Sequence, residues 1–173
     1  MMPKKKWVSD AVTSILARTR SYFEAEFGIA VSEVGEHEGK VETLTIHGLT
    51  AIIGLGGPVS LLVAFSFAPG LVDALYERMA AEVDVPPGEE AVYRGYLAAD
   101  IVNIIVGNCT ADFQQRDYPI SLTPPMIVEC AKNIHRMKNA MFISRSLQTK
   151  FGFIDVNLLG PSELFDKDLN YLE

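Results

Sequence analysis

The sequence predicts an α+β fold in which helices pack on a mainly antiparallel β-sheet. Three observations lead to this class. Apolar residues recur at helical spacing in three segments, a strand pair stands between the first two of them, and a series of strand-like segments follows the third. Few connections between strands are helical crossovers, which disfavours a parallel sheet. With 173 residues, 49% of them hydrophobic, the chain can bury one core, so we expect a single domain over residues 1–173.

The three predicted helices differ in how their ends are marked. The first runs from about Trp7 to Phe27, and Gly28 marks its end. The second begins at Pro69, because proline suits the first turn of a helix. The third spans about Glu89 to Phe113, and the acidic residues at its start favour a helix N-terminus.

The strands are predicted from β-rich runs and alternation. A hairpin joins residues 42–53 to 59–67 through a glycine-rich turn at 54–58. The other expected strands are a short one with a loop in 29–40 and four later ones, 120–122, 126–128, 139–147 and 151–158. In the last, Ile154, Val156 and Leu158 alternate with Asp155 and Asn157, which predicts one buried and one wet face.

Charge and composition exclude several classes of function. Fifteen basic against 22 acidic residues give a net charge of −7, which disfavours nucleic-acid binding because phosphates are repelled. Cys109 and Cys130 are too few for a disulfide framework, so we expect buried thiols and a cytoplasmic protein. The three histidines are scattered, so no metal site is expected. Residues 1–6 are predicted to be a flexible basic N-terminus and 160–173 an extended tail.

Two features of the glycine-rich region could be misread. The stretch 48–72 carries no charge and has the length of a membrane-spanning helix, but glycines and prolines interrupt it. We therefore predict two buried strands and no membrane insertion. The glycines at 54–57 do not form a phosphate-binding loop, because a strand follows them instead of a helix and Pro58 lacks an N–H donor.

The third predicted helix carries a polar stripe about 60° wide, which consists of Tyr96, Asp100, Asn103 and Gly107. An acid and an amide are thus presented together, one helical turn apart, while Ala98, Ile101, Val102 and Ile105 point to the other side. Periodicity alone favours a plain interpretation, in which the stripe is the wet face of the helix and Gly107 a helix-packing contact. The alternative for Gly107 is close approach by another backbone.

The stripe resembles a motif of a known family. Asp100-x-x-Asn103-x-x-x-Gly107-Asn108 is similar to the Glu-x-x-Asn helix of the CheC/CheX family of chemotaxis phosphatases, which Gly-Asn often follows in CheX-type sequences. The glycine-rich hairpin before it and the serine- and proline-containing stretch 120–125 after it also resemble the family, so the similarity covers about Trp7 to Leu158. The first helix has no second copy of the motif, so the one-site CheX type is the closer match.

This resemblance implies a CheC/CheX-like fold and hydrolysis of the aspartyl phosphate on a response-regulator receiver domain. Asn103 would orient the attacking water and Asp100 would contact the receiver's conserved lysine. Tyr96, Gly107 and Asn108 would contact the same partner, a CheY-like receiver. No cofactor is expected in this chain, because the Mg²⁺ belongs to the receiver.

The sequence departs from the family pattern at two positions of the stripe. Asp100 stands where the family normally has glutamate, and Tyr96 stands where an aspartate or serine is common. An alternative function is therefore a non-catalytic receiver-binding or scaffold module in chemotaxis signalling. A third is a structural assembly protein that forms a homodimer through an exposed sheet edge, as CheX-type domains do.

Overall fold

The structure is a computed structural model that describes residues 4–40, 46–113, 119–129 and 140–161. Within these residues the chain forms three helices and seven strands. In chain order they are α1 Lys4–Phe27, β1 Ser32–Lys40, β2 Leu49–Gly56, β3 Ser60–Phe67, α2 Pro69–Ala80, α3 Glu90–Phe113, β4 Ser121–Leu122, β5 Met126–Glu129, β6 Ala140–Thr149 and β7 Gly152–Pro161.

All seven strands belong to one sheet with the order β1-β6-β7-β3-β2-β4, and β5 also pairs with β2. Every pairing between these strands is antiparallel. The predicted fold class is therefore confirmed. β1 lies at one edge, with β6 as its neighbour in the described part of the chain. Homodimerisation through a sheet edge stays a prediction.

The main core lies between the three helices and one face of the sheet. Large side chains that have almost no exposed surface come from every layer, among them Trp7 and Phe23 from α1, Phe65 from β3, Leu71 from α2 and Ile105 from α3. Burial of apolar surface contributes roughly 25 cal/mol per Å², so this contact between layers is the principal stabilising term. It also fixes which side of each helix faces outward.

The two chain ends differ from the sequence prediction. Helix α1 already begins at Lys4, and the Lys6 ammonium lies 2.8 Å from the carboxylate of Asp10, one helical turn along. The predicted flexible basic N-terminus is therefore wrong for residues 4–6, which continue the amphipathic helix outward. At the other end β7 includes Gly160 and Pro161, so the predicted tail is wrong for residues 160 and 161. Residues 1–3 and 162–173 lie outside the described residues.

Two strand predictions need correction as well. β1 is nine residues long, not a short strand with a loop, because its backbone pairs with β6 along its length. The predicted wet face of β7 is wrong at Asn157, whose exposed fraction is 2%. On the same face Asp155 accepts a 2.7 Å hydrogen bond from the Ser146 hydroxyl. A second apolar cluster, which includes Phe142 and Leu159, buries this side of the sheet.

The glycine-rich hairpin is confirmed, but two of its glycines belong to a strand. β2 runs to Gly56 before the chain turns into β3. A Cβ on Gly54 would lie 2.8 Å from the Thr123 side chain, and one on Gly56 would lie 2.5 Å from the Ser121 hydroxyl oxygen. A side chain at either position would force these neighbouring side chains to move, so glycine favours the close approach of the segment containing β4. The charge-free stretch forms two strands, as predicted, and no helix within the described residues could cross a bilayer.

Candidate functional site

Helix α3 has a buried face that confirms the predicted periodicity. It packs against α1, α2 and β2. The residues predicted to face the core are almost fully buried, and so are two more on the same side: Ala98, Ile101, Val102, Ile105, Val106 and Cys109. Because this face is anchored in the core, the opposite face of α3 is held in a fixed orientation toward solvent.

The polar stripe lies on that outward face. Asp100 and Asn103 are exposed, Gly107 is partly exposed, and Tyr96 is 64% exposed. With a rise of ~1.5 Å per residue, the stripe is about 16 Å long. Within the described residues the side chains of Asp100 and Asn103 make no hydrogen bond and no ion pair. An acid and an amide are therefore available together to another molecule.

Asn108 lies beside the stripe and not within it. Its side chain is exposed, but it follows Gly107 by one residue and so is turned about 100° around the helix. The structure thus brings together four of the five predicted site residues on one surface. The fifth borders that surface.

Gly107 leaves a notch in the stripe. In the described part of the chain, nothing lies within 4 Å of the position that a Cβ on Gly107 would occupy. The interpretation of Gly107 as a helix-packing contact therefore finds no support among these residues. The Thr110 hydroxyl donates a 2.7 Å hydrogen bond to the Gly107 carbonyl, which satisfies that oxygen within the helix. The notch is compatible with close approach by a partner's main chain.

Tyr22 of α1 borders the stripe at Asp100. It is half-buried, and its ring packs edge-on against those of Phe23 and Phe27 at centroid distances of 6.1 and 5.7 Å. Burial raises the pKa of the Tyr22 hydroxyl, and the nearby carboxylates of Asp100 and Glu26 raise it further. The hydroxyl stays protonated at neutral pH, so this flank of the stripe carries negative charge from carboxylates only.

A second acid on α3 is bound within the molecule. Asp112 accepts hydrogen bonds from the Ser14 hydroxyl at 2.5 Å and from two nitrogens of the Arg18 guanidinium at 2.9 and 2.5 Å. These bonds hold the pKa of the Asp112 carboxyl at about 2. We call Ser14, Arg18 and Asp112 the Asp112 cluster. It ties the C-terminal end of α3 to α1.

The buried thiol of Cys109 does not form a reactive centre. Burial raises its pKa to about 11, so the neutral thiol prevails at physiological pH and packs as a small apolar group. Cys130 lies outside the described residues. Within the described ranges, no three or more His, Cys, Asp or Glu side chains are grouped so that they could hold a metal ion.

Sequence reasoning did not find Tyr22 or the Asp112 cluster. Ser14 and Arg18 are one turn apart on α1, which is a visible signal for a shared surface. Helical periodicity does not show which helix packs against that surface. The pairing of α1 with α3 depends on the assembled core.

A comparison with known protein families identifies the family of this chain. It matches the family described as chemotaxis phosphatase CheX over residues 49–144, more than half of its 173 residues. The chain belongs to the CheX family. The match includes the hairpin, α2, α3 with the whole polar stripe, and β4 and β5. A comparison with curated proteins finds no match.

Solved structures of CheX-like proteins share the fold. A CheC-like superfamily protein from Shewanella sp. PV-4 is 14% identical with a TM-score of 0.70, covering 87% of this chain and 96% of its own. The chemotaxis protein CheX from Desulfovibrio desulfuricans is 13% identical with a TM-score of 0.69, covering 87% and 99%. A chain in the CheX–CheY–BeF3–Mg²⁺ complex from Borrelia burgdorferi is 16% identical with a TM-score of 0.60, covering 85% and 95%.

Proposed function

We propose that this protein is a phosphatase that accelerates hydrolysis of the aspartyl phosphate on a CheY-like receiver domain. The observation that carries the proposal is the polar stripe, where Asp100 and Asn103 lie exposed side by side with no partner among the described residues. Membership of the CheX family and the fold shared with a chain of a CheX–CheY complex support the same partner class.

The proposed chemistry needs an amide and an acid, each in a separate role. Phosphoryl transfer requires mainly a positioned nucleophile and stabilised charge, so a catalyst need form no covalent bond. The Asn103 amide carries both a donor and an acceptor, which suits it to orient a water molecule in line with phosphorus. Asp100 would bind the receiver's conserved lysine and fix the pose. The Mg²⁺ in this scheme belongs to the receiver.

The way α3 is held suits such a role. Its inner face is packed in the core, and the Asp112 cluster attaches its end to α1. A catalytic amide placed on a rigid helix keeps its orientation when the partner docks, and placement errors near 1 Å can cost on the order of 10² in rate. Gly107 and Asn108 would lie against the receiver near Asn103, with the notch accommodating its main chain.

The test is the rate of phosphate loss from phosphorylated CheY with wild-type protein, Asn103→Ala and Gln148→Ala. Gln148 carries an exposed amide on β6, away from α3, and serves as the matched control. We expect Asn103→Ala to lower the acceleration by about 100-fold or more, while Gln148→Ala leaves it unchanged. The free energy of unfolding of both variants should lie within ~0.5 kcal/mol of the wild-type value, as is usual for exposed substitutions. An undiminished rate with Asn103→Ala would refute the mechanism.

A non-catalytic receiver-binding module is the second candidate, and the identity of residue 100 is the observation that favours it. The Asp100 side chain is one methylene shorter than the glutamate usual in the family. Titration with beryllofluoride-loaded CheY separates the candidates, because both bind it and only a phosphatase turns over phosphorylated CheY. Binding without turnover, together with turnover gained by Asp100→Glu, would favour the module.

A further inference from the structure

The core holds helix α3 over the middle of its length and not at its two ends. Of residues 90–112, those that are buried, apart from Gly95, lie between Ala98 and Cys109. A cavity of about 280 Å³, lined in part by Ala91 and Arg94, lies beside the first turns of the helix. Apolar packing fixes which face of α3 points outward. It is not directional, so the last few degrees of rotation depend on contacts that have a defined geometry.

A charged contact of this kind lies one turn before the buried segment. The Nε and Nη2 atoms of Arg94 are 3.2 and 3.1 Å from the Asp73 carboxylate of α2. The guanidinium carbon lies 4.2 Å from the centre of the Tyr76 ring, also on α2. We call Arg94, Asp73 and Tyr76 the Arg94 cluster. Because a carboxylate binds the edge of the guanidinium and a ring covers its face, the cluster fixes both the position and the plane of this group.

The Asp112 cluster is the corresponding contact after the buried segment, where it ties α3 to α1. Arg94 and Asp112 are eighteen residues apart, which is about five turns, so they lie on the same side of the helix. Asn103 is nine residues from each, about two and a half turns, so it lies halfway between them on the opposite side. Two directional contacts therefore stand at equal distances from the residue whose orientation the proposed chemistry requires.

This arrangement couples the orientation of the Asn103 amide to both contacts. A side-chain amide lies roughly 6 Å from the helix axis, so a rotation of α3 by about 10° would displace it by about 1 Å. The same rotation would displace the Arg94 guanidinium and the Asp112 carboxylate by similar distances, which their hydrogen bonds oppose. We infer that Arg94 and Asp112 are positioning residues that set the rotation of α3 and thereby direct the Asn103 amide at the attacking water. The inference rests on the proposed function, which gives Asn103 its role.

The first test measures kcat and KM for phosphorylated CheY with Arg94→Met, which keeps an unbranched side chain and removes the guanidinium. We expect kcat to fall about fivefold, because the amide is displaced by a fraction of an ångström. KM and the affinity for beryllofluoride-loaded CheY should stay within about twofold, because the stripe still presents the same side chains. Loss of folding would not produce this separation of kcat from binding.

Further variants identify the contact that is responsible. Asp73→Leu, alone or together with Arg94→Met, should lower kcat to the same extent as Arg94→Met, since both changes break one contact. Asp73→Asn keeps an acceptor oxygen and should stay within about twofold of the wild-type kcat. Arg94→Met combined with Asp112→Ala should lower kcat about 25-fold, because the two contacts are far apart and their effects on the free energy of activation add.

Arg20→Met is the matched control. The Arg20 guanidinium lies 3.0 Å from the Glu33 carboxylate and joins α1 to β1. Both ion pairs are partly exposed, so removal of either should change the free energy of unfolding little. The kcat of Arg20→Met should equal that of the wild type.

A second measurement needs no receiver. Residual dipolar couplings of the α3 backbone amides report the rotation of the helix within the protein. They should show α3 rotated by roughly 10° in Arg94→Met and unrotated in Arg20→Met, which is the size of misorientation that a catalytic group does not tolerate.

Any of three results would overturn the inference: a wild-type kcat in Arg94→Met, an equal fall of kcat in Arg20→Met, or an α3 orientation that Arg94→Met leaves unchanged. Turnover by the wild type distinguishes this failure from failure of the proposed function. If Asn103→Ala loses the acceleration while Arg94→Met keeps it, the inference fails and the function stands. If the wild type does not accelerate hydrolysis but Arg94→Met rotates α3, the positioning contact stands and the phosphatase proposal fails.

Discussion

Helix α3 carries two aspartates, three turns apart, that have opposite roles. Asp112 is bound within the molecule by Ser14 and Arg18, with donor–acceptor distances of 2.5 to 2.9 Å, and its pKa is held at about 2. Asp100 is exposed in the polar stripe and has no hydrogen bond or ion pair among the described residues. Residue type and helix are the same, so the surroundings alone decide whether an acid fastens the fold or is available to a partner.

The comparison explains why the site can be both exposed and well placed. A carboxylate that is free in the isolated chain keeps its whole interaction for the complex, because no internal bond has to break first. Such a residue contributes little to folding. The Asp112 cluster and the buried face supply the rigidity that Asp100 and Asn103 need and do not provide themselves.

The largest expected effect comes from reversing the charge of Asp100, the aspartate that has no partner among the described residues. Asp100→Lys should weaken binding of beryllofluoride-loaded CheY by at least about 100-fold, because a cation would then face the receiver's cation. The free energy of unfolding of this variant should stay within ~0.5 kcal/mol of the wild-type value. Asp84→Lys, in the linker between α2 and α3, changes the net charge equally and serves as the control. A similar loss in both variants would mean that total charge, not the stripe, governs binding.

Removal of the bound acid should have the converse effect. Asp112→Ala deprives Ser14 and Arg18 of their acceptor, so we expect the thermal midpoint to fall by about 2–4 °C, equivalent to about 1 kcal/mol in a chain of this size. The effect is modest because both charged partners are more than one-third exposed and solvent screens them. CheY binding by the folded variant should fall far less than with Asp100→Lys, because the buried face of α3 still orients the polar stripe. An unchanged midpoint would show that the cluster does not hold α3.

Acid provides a smaller and more specific test of the same cluster. The Asp112 pKa is lowered to about 2 in the folded protein, while an unfolded aspartate titrates near ~4. The stabilisation is therefore complete above about pH 4 and is lost as the pH falls toward 2. The difference in midpoint between wild type and Asp112→Ala should be constant from pH 7 to 5 and shrink below pH 4. A difference that persists at pH 2 would argue for a role of Asp112 other than its charge.

Sequence reasoning succeeded where one element's own pattern decides the outcome. The buried face of α3 and the exposure of Asp100 and Asn103 follow from a 3.6-residue period. The hairpin was predictable because proline and glycine interrupt an apolar run. The family resemblance supplied the chemical roles, which no period contains.

The sequence predictions fail where the surroundings of a residue depend on a second structural element that packs against it. The period-2 pattern of β7 predicted that Asn157 is wet, yet its face is covered and buries it. Lysines at the chain start suggested a tail, but the amphipathic helix extends through them to Lys4. The roles of Tyr22 and Asp112 depend on the approach of α1 to α3, which local sequence does not encode.

The most direct test of the account is catalytic turnover measured with the chain in trace amounts. Phosphorylated CheY should lose phosphate at a rate that rises in proportion to added protein, with each molecule converting many receivers. Asn103→Ala should bind beryllofluoride-loaded CheY normally and accelerate phosphate loss at least about 100-fold less than the wild type. If the wild-type protein binds the loaded receiver and leaves the rate of phosphate loss unchanged, the stripe is a docking surface and the phosphatase account is contradicted.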